Sequence, residues 1–260
     1  MRTDMQWVKQ FYSKQHEWAG VCDGDVADPH RKNAAIVQRL AGGRIGRLLE
    51  LGAGGGQNAA AAADLGYSVV AIELVPSGVK NAQKLASQPR KGQLRVIEGD
   101  FYEVEFAKPF DIICYWDGFG VGSDEDQRRL LKRMAGWLQP AGFALVEVYT
   151  PWYWAGAAGR QISFGNVMRR YDFDTSNCRM LDRWWPVGHE EETVTQSLRC
   201  YSPDDLRTLL KGTGLALESV ESRGAFDAER NQFVESVPIE QAMQYLAKLT
   251  PENRRKPGTA

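Results

Sequence analysis

Residues 48–58 read LLELGAGGGQN: an apolar run that stops at Glu50 and opens into Gly52, Gly54, Gly55 and Gly56. The run has the composition of a buried strand. Glycine costs backbone entropy, so a cluster directly behind a strand implies positive φ or the close approach of a ligand. The residues on either side show what fold surrounds the cluster and which ligand it suits.

Strands and helices alternate around it. Arg47–Leu51 reads as a first strand and the alanine-rich QNAAAAADL (57–65) as a helix ended by Gly66. Ser68–Ile72 is a second strand, Ser77–Ala86 a helix with Ser77 as its cap, and Leu94–Ile97 a third strand. Asp111–Tyr115 is a fourth. Ser123 then caps a helix in which Leu130, Leu131, Met134, Trp137 and Leu138 recur at helical spacing. Pro140 and Gly142 end that helix, and FALVEV is a fifth strand. Strands apolar on both faces, separated by helices, define a mostly parallel sheet covered on both sides: a doubly wound α/β fold.

The flanks differ in character. Residues 1–40 read as a helical cap and 41–150 as the nucleotide-binding core. Residues 151–199 hold strand-like pieces and many aromatics, an insertion expected to cover a substrate. Ser202-Pro203 opens the helix DLRTLLK, and ALESVES closes the core over residues 200–222. Within 223–260, Ile239–Leu249 reads as a final helix and PENRRKPGTA as a disordered tail.

Composition narrows the function. The 260 residues are 43% hydrophobic and 25% charged, with a net charge of -1, which argues against a nucleic-acid binder. No apolar stretch reaches the roughly 18 residues of a membrane span, and MRTDMQWVKQFYSK lacks a secretory pattern. The four cysteines form no C-x-x-C pair, so neither zinc nor a disulfide framework is expected. The expected compartment is the cytoplasm.

In an open parallel sheet, ligands bind beyond the carboxyl ends of the strands. Those ends carry Glu50 and the glycines, then Glu73, then Asp100-Phe101, then Tyr115-Trp116-Asp117-Gly118. A carboxylate at Glu73 suits the two hydroxyls of a ribose. Two ligands fit a glycine loop with a distant acid: a nicotinamide or flavin dinucleotide, and S-adenosylmethionine. A G-x-G-x-x-G fingerprint counted from Gly52 needs glycine where Gln57 stands. Counted from Gly54, it meets Ala59, which fits only the looser form.

Here the chain resembles the class I S-adenosylmethionine-dependent methyltransferases, over roughly residues 45–150 with an echo in YSPDDLRTLLKGTGLALESV. LLELGAGGGQN, VVAIEL, VIEGDF, FDIICYWDGFG and WLQPAGFALVEV resemble successive motifs of that family, with Ala141 replacing a glycine. The resemblance implies a Rossmann-like methyltransferase core and the cofactor S-adenosylmethionine, with S-adenosylhomocysteine as product. By it, Glu50, Gly52, Ala53, Gly54, Gly56 and Asn58 would hold the methionine end, and Glu73 with Leu74 the ribose side. Asp100 and Phe101 would take the adenine, Tyr115 would line the floor, and Tyr12 would reach over from the N-terminal helix.

The sequence offers few candidate bases among its three histidines. His189, within the aromatic insertion, is the first candidate for a general base, against a reading as a surface-loop histidine; His16 is the second. Trp116, Tyr149, Trp152, Tyr153, Trp184 and Trp185 are the candidate substrate-binding aromatics, against a reading as the insertion's own core. Arg169-Arg170 and Arg183 offer charges to an acidic substrate, or solvated charges only. No compact cluster of metal ligands is visible, so no metal is expected. After the fourth strand YWDGFG lacks the proline-rich motif of nucleic-acid methyltransferases. The resulting expectation is methyl transfer to an oxygen or nitrogen of a small molecule, with no nucleic-acid or membrane partner. A non-catalytic S-adenosylmethionine-binding protein and an NAD(P)-dependent oxidoreductase are the competing readings.

Overall fold

A computed structural model describes residues 6–228 and 230–252. Two helices open the chain, α1 (Gln6–Ala19) and α2 (Asp28–Leu40). Then β1 (Arg47–Leu51), α3 (Gln57–Asp64), β2 (Ser68–Glu73), α4 (Pro76–Ala86), β3 (Gln93–Glu98), β4 (Phe110–Tyr115), α5 (Asp124–Trp137) and β5 (Leu138–Tyr149) follow. The β4–β5 connection is a well-marked helix. Ser123 accepts from the Asp126 amide while Asp126 reaches back to Ser123, a reciprocal cap worth about 1 kcal/mol. The expected Ser77 cap is corrected: α4 starts at Pro76 with Val75 as its cap, because proline pre-sets the first helical φ. That leaves the Ser77 hydroxyl to bond His16.

A short helix α6 (Pro151–Gly156) leads into a four-stranded antiparallel sheet of β6 (Gln161–Phe164), β7 (Val167–Asp174), β8 (Arg179–Pro186) and β9 (Val194–Arg199). After it come α7 (Pro203–Leu210), β10 (Leu215–Ser222), the small hairpin β11 (Ala225–Asp227) and β12 (Gln232–Val234), and β13 (Gln244–Pro251). The seven-stranded sheet runs β10-β13-β5-β4-β1-β2-β3. Its strands are parallel except β13, which runs antiparallel to both neighbours, β5 and β10.

That strand overturns the helix expected at Ile239–Leu249. Only a turn of 3-10 helix, Ile239–Gln241, forms there; the remainder is extended. QYLAKLTP is rich in helix formers, but β5 and β10 each present a ladder of backbone groups that only a strand can satisfy. Tyr245, Leu246, Ala247 and Leu249 are buried on both faces of that strand, so tertiary context decides. The expected tail lies outside the described residues, apart from its first two positions.

Two cores flank the sheet. Leu49, Leu51 and Ile72 pack with Leu130, Leu131 and Met134 of α5 and Leu206, Leu209 and Leu210 of α7. On the other face, Leu48, Val69 and Ile112 pack with Val37 of α2 and Ala59, Ala62 and Ala63 of α3. Side chains alternate along β1, so Glu50 shares the Leu48 face, beneath α2 and α3. The small antiparallel sheet docks through α1, whose Phe11 packs edge-on against Trp184 beside Val167 and Val194. Among the described residues no helix is long and apolar enough to cross a membrane.

Candidate active site

At the end of β1 the chain turns through Gly52 (φ 57), Gly54 (φ 54) and Gly56 (φ 78), conformations that L side chains rarely adopt. Gly55 needs its missing side chain for another reason: a Cβ there would lie 2.0 Å from the Cys22 carbonyl oxygen. The loop between α1 and α2 therefore sits directly on the glycine turn. Gly55→Ala is expected to push that loop away and lower the thermal midpoint by several degrees, measurable by differential scanning calorimetry. An unchanged midpoint would show that the loop is not seated there.

The loop is held from several sides. His16 is buried, its Nδ1 bonded to Ser77 Oγ at 2.9 Å and its Nε2 to Cys22 Sγ at 2.8 Å. Burial lowers its pKa, which keeps the ring neutral, and burial pushes the Cys22 thiol up to about 12. With both ring nitrogens engaged, His16, the second candidate base, joins α1, the α1–α2 loop and α4. Asn81 adds bonds from Nδ2 to the carbonyls of Gly24 and Gly55.

Glu73 ends β2 and reaches the glycine turn. Its carboxylate accepts from the Gly54 amide at 2.6 Å and the Val75 amide at 2.7 Å. Asp100 accepts from the Tyr102 amide at 2.8 Å, and Phe101 stands 5.6 Å from the Tyr115 ring. Tyr115 lies under Gly52, 3.3 Å from where a Cβ would be, and donates to the Gly118 carbonyl. Ala53 is buried with its amide on the Ile72 carbonyl, and Leu74 packs between α1 and the small sheet.

Beneath the turn, a hollow with room for about one water is lined by Asn33, Leu48, Glu50, Asn58, Cys114 and Trp116. Glu50 is 2% exposed, and burial, then the nearby Glu73 charge, push its pKa up to about 8. Asn33 donates to Asn58, Arg223 donates to Asn33 and to Glu147, and Glu147 accepts from the Asp117 amide at 3.2 Å. This polar chain links the first turn of α3 to the end of β4.

Asp117 is the residue the sequence reading did not select. It adopts φ 52 and is solvent-exposed, although Tyr115 and Trp116 before it are buried. Its Oδ1 accepts from Tyr149 and, at 3.0 Å, from Gln244. Its pKa is nonetheless raised, chiefly by desolvation, with Tyr149, Gln244 and Arg169 pulling the other way. The exposed side chain lies where the chain leaves β4. Gly52 at the neighbouring strand end is exposed too, so the sheet opens to solvent between β1 and β4. Tyr12 of α1 overlooks this opening: its hydroxyl bonds Gln196 at 2.8 Å, and Asp117, Glu73 and Asp182 all act on it electrostatically.

The remaining candidates distribute unevenly. Tyr149 reaches the opening between β1 and β4 through Asp117. Trp116 instead lines the Glu50 hollow, and Trp152 is 42% exposed. Tyr153 bonds the Phe226 carbonyl, while Trp184 and Trp185 are buried parts of the small sheet. His189 sits on the β8–β9 turn, its side chain 59% exposed beside Glu191 and Glu192. It stands in solvent rather than in a shielded pocket, because its turn projects beyond the paired strands. Arg169 is committed to Asp182 at 2.6 Å, and Arg170 and Arg183 both face Asp172. YWDGFG carried the signal for Asp117, the first charged residue past β4; Asn33, Arg223 and Gln244 reach the site only through tertiary packing.

A seven-stranded sheet with one antiparallel strand next to its edge, a glycine turn and acids at successive strand ends defines a class I S-adenosylmethionine-dependent methyltransferase. The chain belongs to the family described as "Methyltransferase domain", whose profile matches residues 27–220. No curated protein sequence matches it. Among solved structures it is similar to the CcbJ methyltransferase from Streptomyces caelestis (19% identity, TM-score 0.71, covering 94% of this chain and 97% of that one). It is similar also to an S-adenosylmethionine-dependent methyltransferase from Clostridium acetobutylicum (15%, 0.65, 94% and 98%). A third is CalS10, an amino pentose methyltransferase from Micromonospora echinaspora, solved with the cofactor bound (16%, 0.56, 84% and 90%). At these identities the likeness is one of fold.

Proposed function

We propose that the protein transfers a methyl group from S-adenosylmethionine to a nitrogen or oxygen of a small molecule, in the cytoplasm and without a metal. The observation that carries this reading is the solvent-reached opening between Gly52 and Asp117, floored by Tyr115 and bounded by Glu73. The amino pentose named for CalS10 is a small-molecule acceptor of the kind proposed.

The sulfonium of the cofactor supplies an activated methyl group and becomes a neutral thioether once that group is lost. The chain's own residues bind and shield. Glu50, Asn58 and the Gly52–Gly56 turn hold the methionine end, Glu73 the ribose, and Asp100 with Phe101 the adenine. Tyr12, Tyr115 and Tyr149 enclose the reacting end and exclude water. Holding an acceptor in line can contribute roughly 7–11 kcal/mol in favourable cases. Residues 151–199 form the substrate-covering lobe and residues 1–40 the cap.

Incubation with S-adenosylmethionine and fractionated small-molecule extracts, followed by mass spectrometry, tests the reading. It predicts S-adenosylhomocysteine together with one methylated product. Binding of the cofactor with no conversion in any fraction would point to a non-catalytic binder.

A further inference from the structure

Asp117 Oδ1 takes both side-chain hydrogen bonds made to this carboxylate, from Tyr149 and Gln244, and among the described residues Oδ2 has none. Oδ2 is thus an acceptor left open at the exposed end of β4. The groups facing it from the packed elements are Tyr12 on α1, Tyr115 on β4, Glu147 and Tyr149 on β5, Gln244 on β13, and Arg169 and Asp182 on the small sheet. Of these, the cation Arg169 is neutralised by Asp182 and stacked on Tyr171 and Trp184. Glu147 is likewise paired with Arg223 at 2.9 Å. The surplus is negative, and tyrosines surround it, an environment that favours a cation over an anion or a neutral hydroxyl.

Resting on the methyltransferase reading, we infer that the acceptor is an amine, which binds as its ammonium to Asp117 Oδ2 beside Tyr12 and Tyr149. An ammonium has no lone pair, so one proton must leave before methylation. That proton passes from nitrogen to Oδ2; the freed lone pair forms the N–C bond as the C–S bond breaks, its electrons staying on sulfur. The proton then leaves Oδ2 for water, and the product departs as a methylammonium. Two effects make the transfer feasible. Desolvation makes the Asp117 carboxyl a better proton acceptor, and a sulfonium nearby acidifies the ammonium.

Asn tolerates positive φ, so Asp117→Asn keeps the backbone and the shape while removing the charge. The test is calorimetric titration of benzylamine and of benzyl alcohol into the protein saturated with S-adenosylhomocysteine. Wild type is expected to bind benzylammonium about tenfold or more tightly than benzyl alcohol, and Asp117→Asn to abolish that preference. S-adenosylhomocysteine affinity should be the same in both proteins. If wild type binds S-adenosylhomocysteine but prefers neither probe, or if Asp117→Asn retains the preference, the amine assignment is overturned. Failure of wild type to bind S-adenosylhomocysteine would instead remove the methyltransferase reading beneath it.

Discussion

Glu50→Gln is expected to stabilise the ligand-free protein at neutral and alkaline pH while weakening its hold on the cofactor. Glu50 lies beneath α2 and α3, and its pKa is pushed from the ordinary 4.5 up to about 8. Across that window the native state keeps a proton that the unfolded chain releases, so stability falls as pH rises from 4.5 through 8. Each pH step of one within the window costs about 1.4 kcal/mol, so the wild-type loss across it is of the order of a few kcal/mol. Glutamine has nearly the same shape and no proton to lose, and its variant should lack this slope. Urea unfolding of both proteins at about pH 5 and about pH 8.5 measures it. Equal slopes would place the Glu50 proton elsewhere. The binding effect has the opposite sign, because a cofactor bearing an ammonium and a sulfonium gains from an ionised Glu50. S-adenosylmethionine affinity should drop by about tenfold. A residue that costs stability and contributes affinity is what a binding site entails.

The second large effect is expected at Glu73→Ala. This side chain joins two elements, since Gly54 and Val75 both donate to it. Alanine leaves those amides without their acceptor, at about 1–3 kcal/mol for each one buried, and removes the proposed ribose partner. S-adenosylhomocysteine affinity is expected to fall by about a hundredfold, with a lower thermal midpoint, since the glycine turn loses its anchor. Glu73→Gln offers one oxygen and one amide nitrogen. The nitrogen would face an N–H donor, so this variant should fall between alanine and wild type in both calorimetric affinity and midpoint. Unchanged affinity in Glu73→Ala would mean that the ribose is held by other groups.

The core was readable because its signals are local. The β1 run, the glycine turn behind it, and the Ser123 and Ser202 caps are each set by neighbours within a few residues, and each stands where expected. β13 was misread for the opposite reason: helix-forming residues there are overruled by two strand ladders far away in sequence. The site divides in the same way. Glu50, Glu73, Asp100 and Tyr115 were legible as strand-end residues. Asp117 stood in view within YWDGFG, but its open Oδ2 depends on Tyr149 and Gln244, which no local pattern announces. His16 was legible as an N-terminal residue near the cofactor side, but its two engaged nitrogens required Cys22 and Ser77 to be placed first. His189 drew attention by its aromatic neighbourhood, yet Trp184 and Trp185 turn into the small sheet while the histidine follows the turn into solvent.

On the proposed reading, the turn at Gly52–Gly56 and the carboxylate of Glu73 form a site for S-adenosylmethionine. Side-by-side calorimetric titration of the wild-type protein with S-adenosylhomocysteine, NAD and NADP decides between this site and a dinucleotide site. Saturable one-to-one binding of S-adenosylhomocysteine, with no heat from either dinucleotide, is the predicted result. Tight binding of NAD or NADP with none of S-adenosylhomocysteine would contradict it.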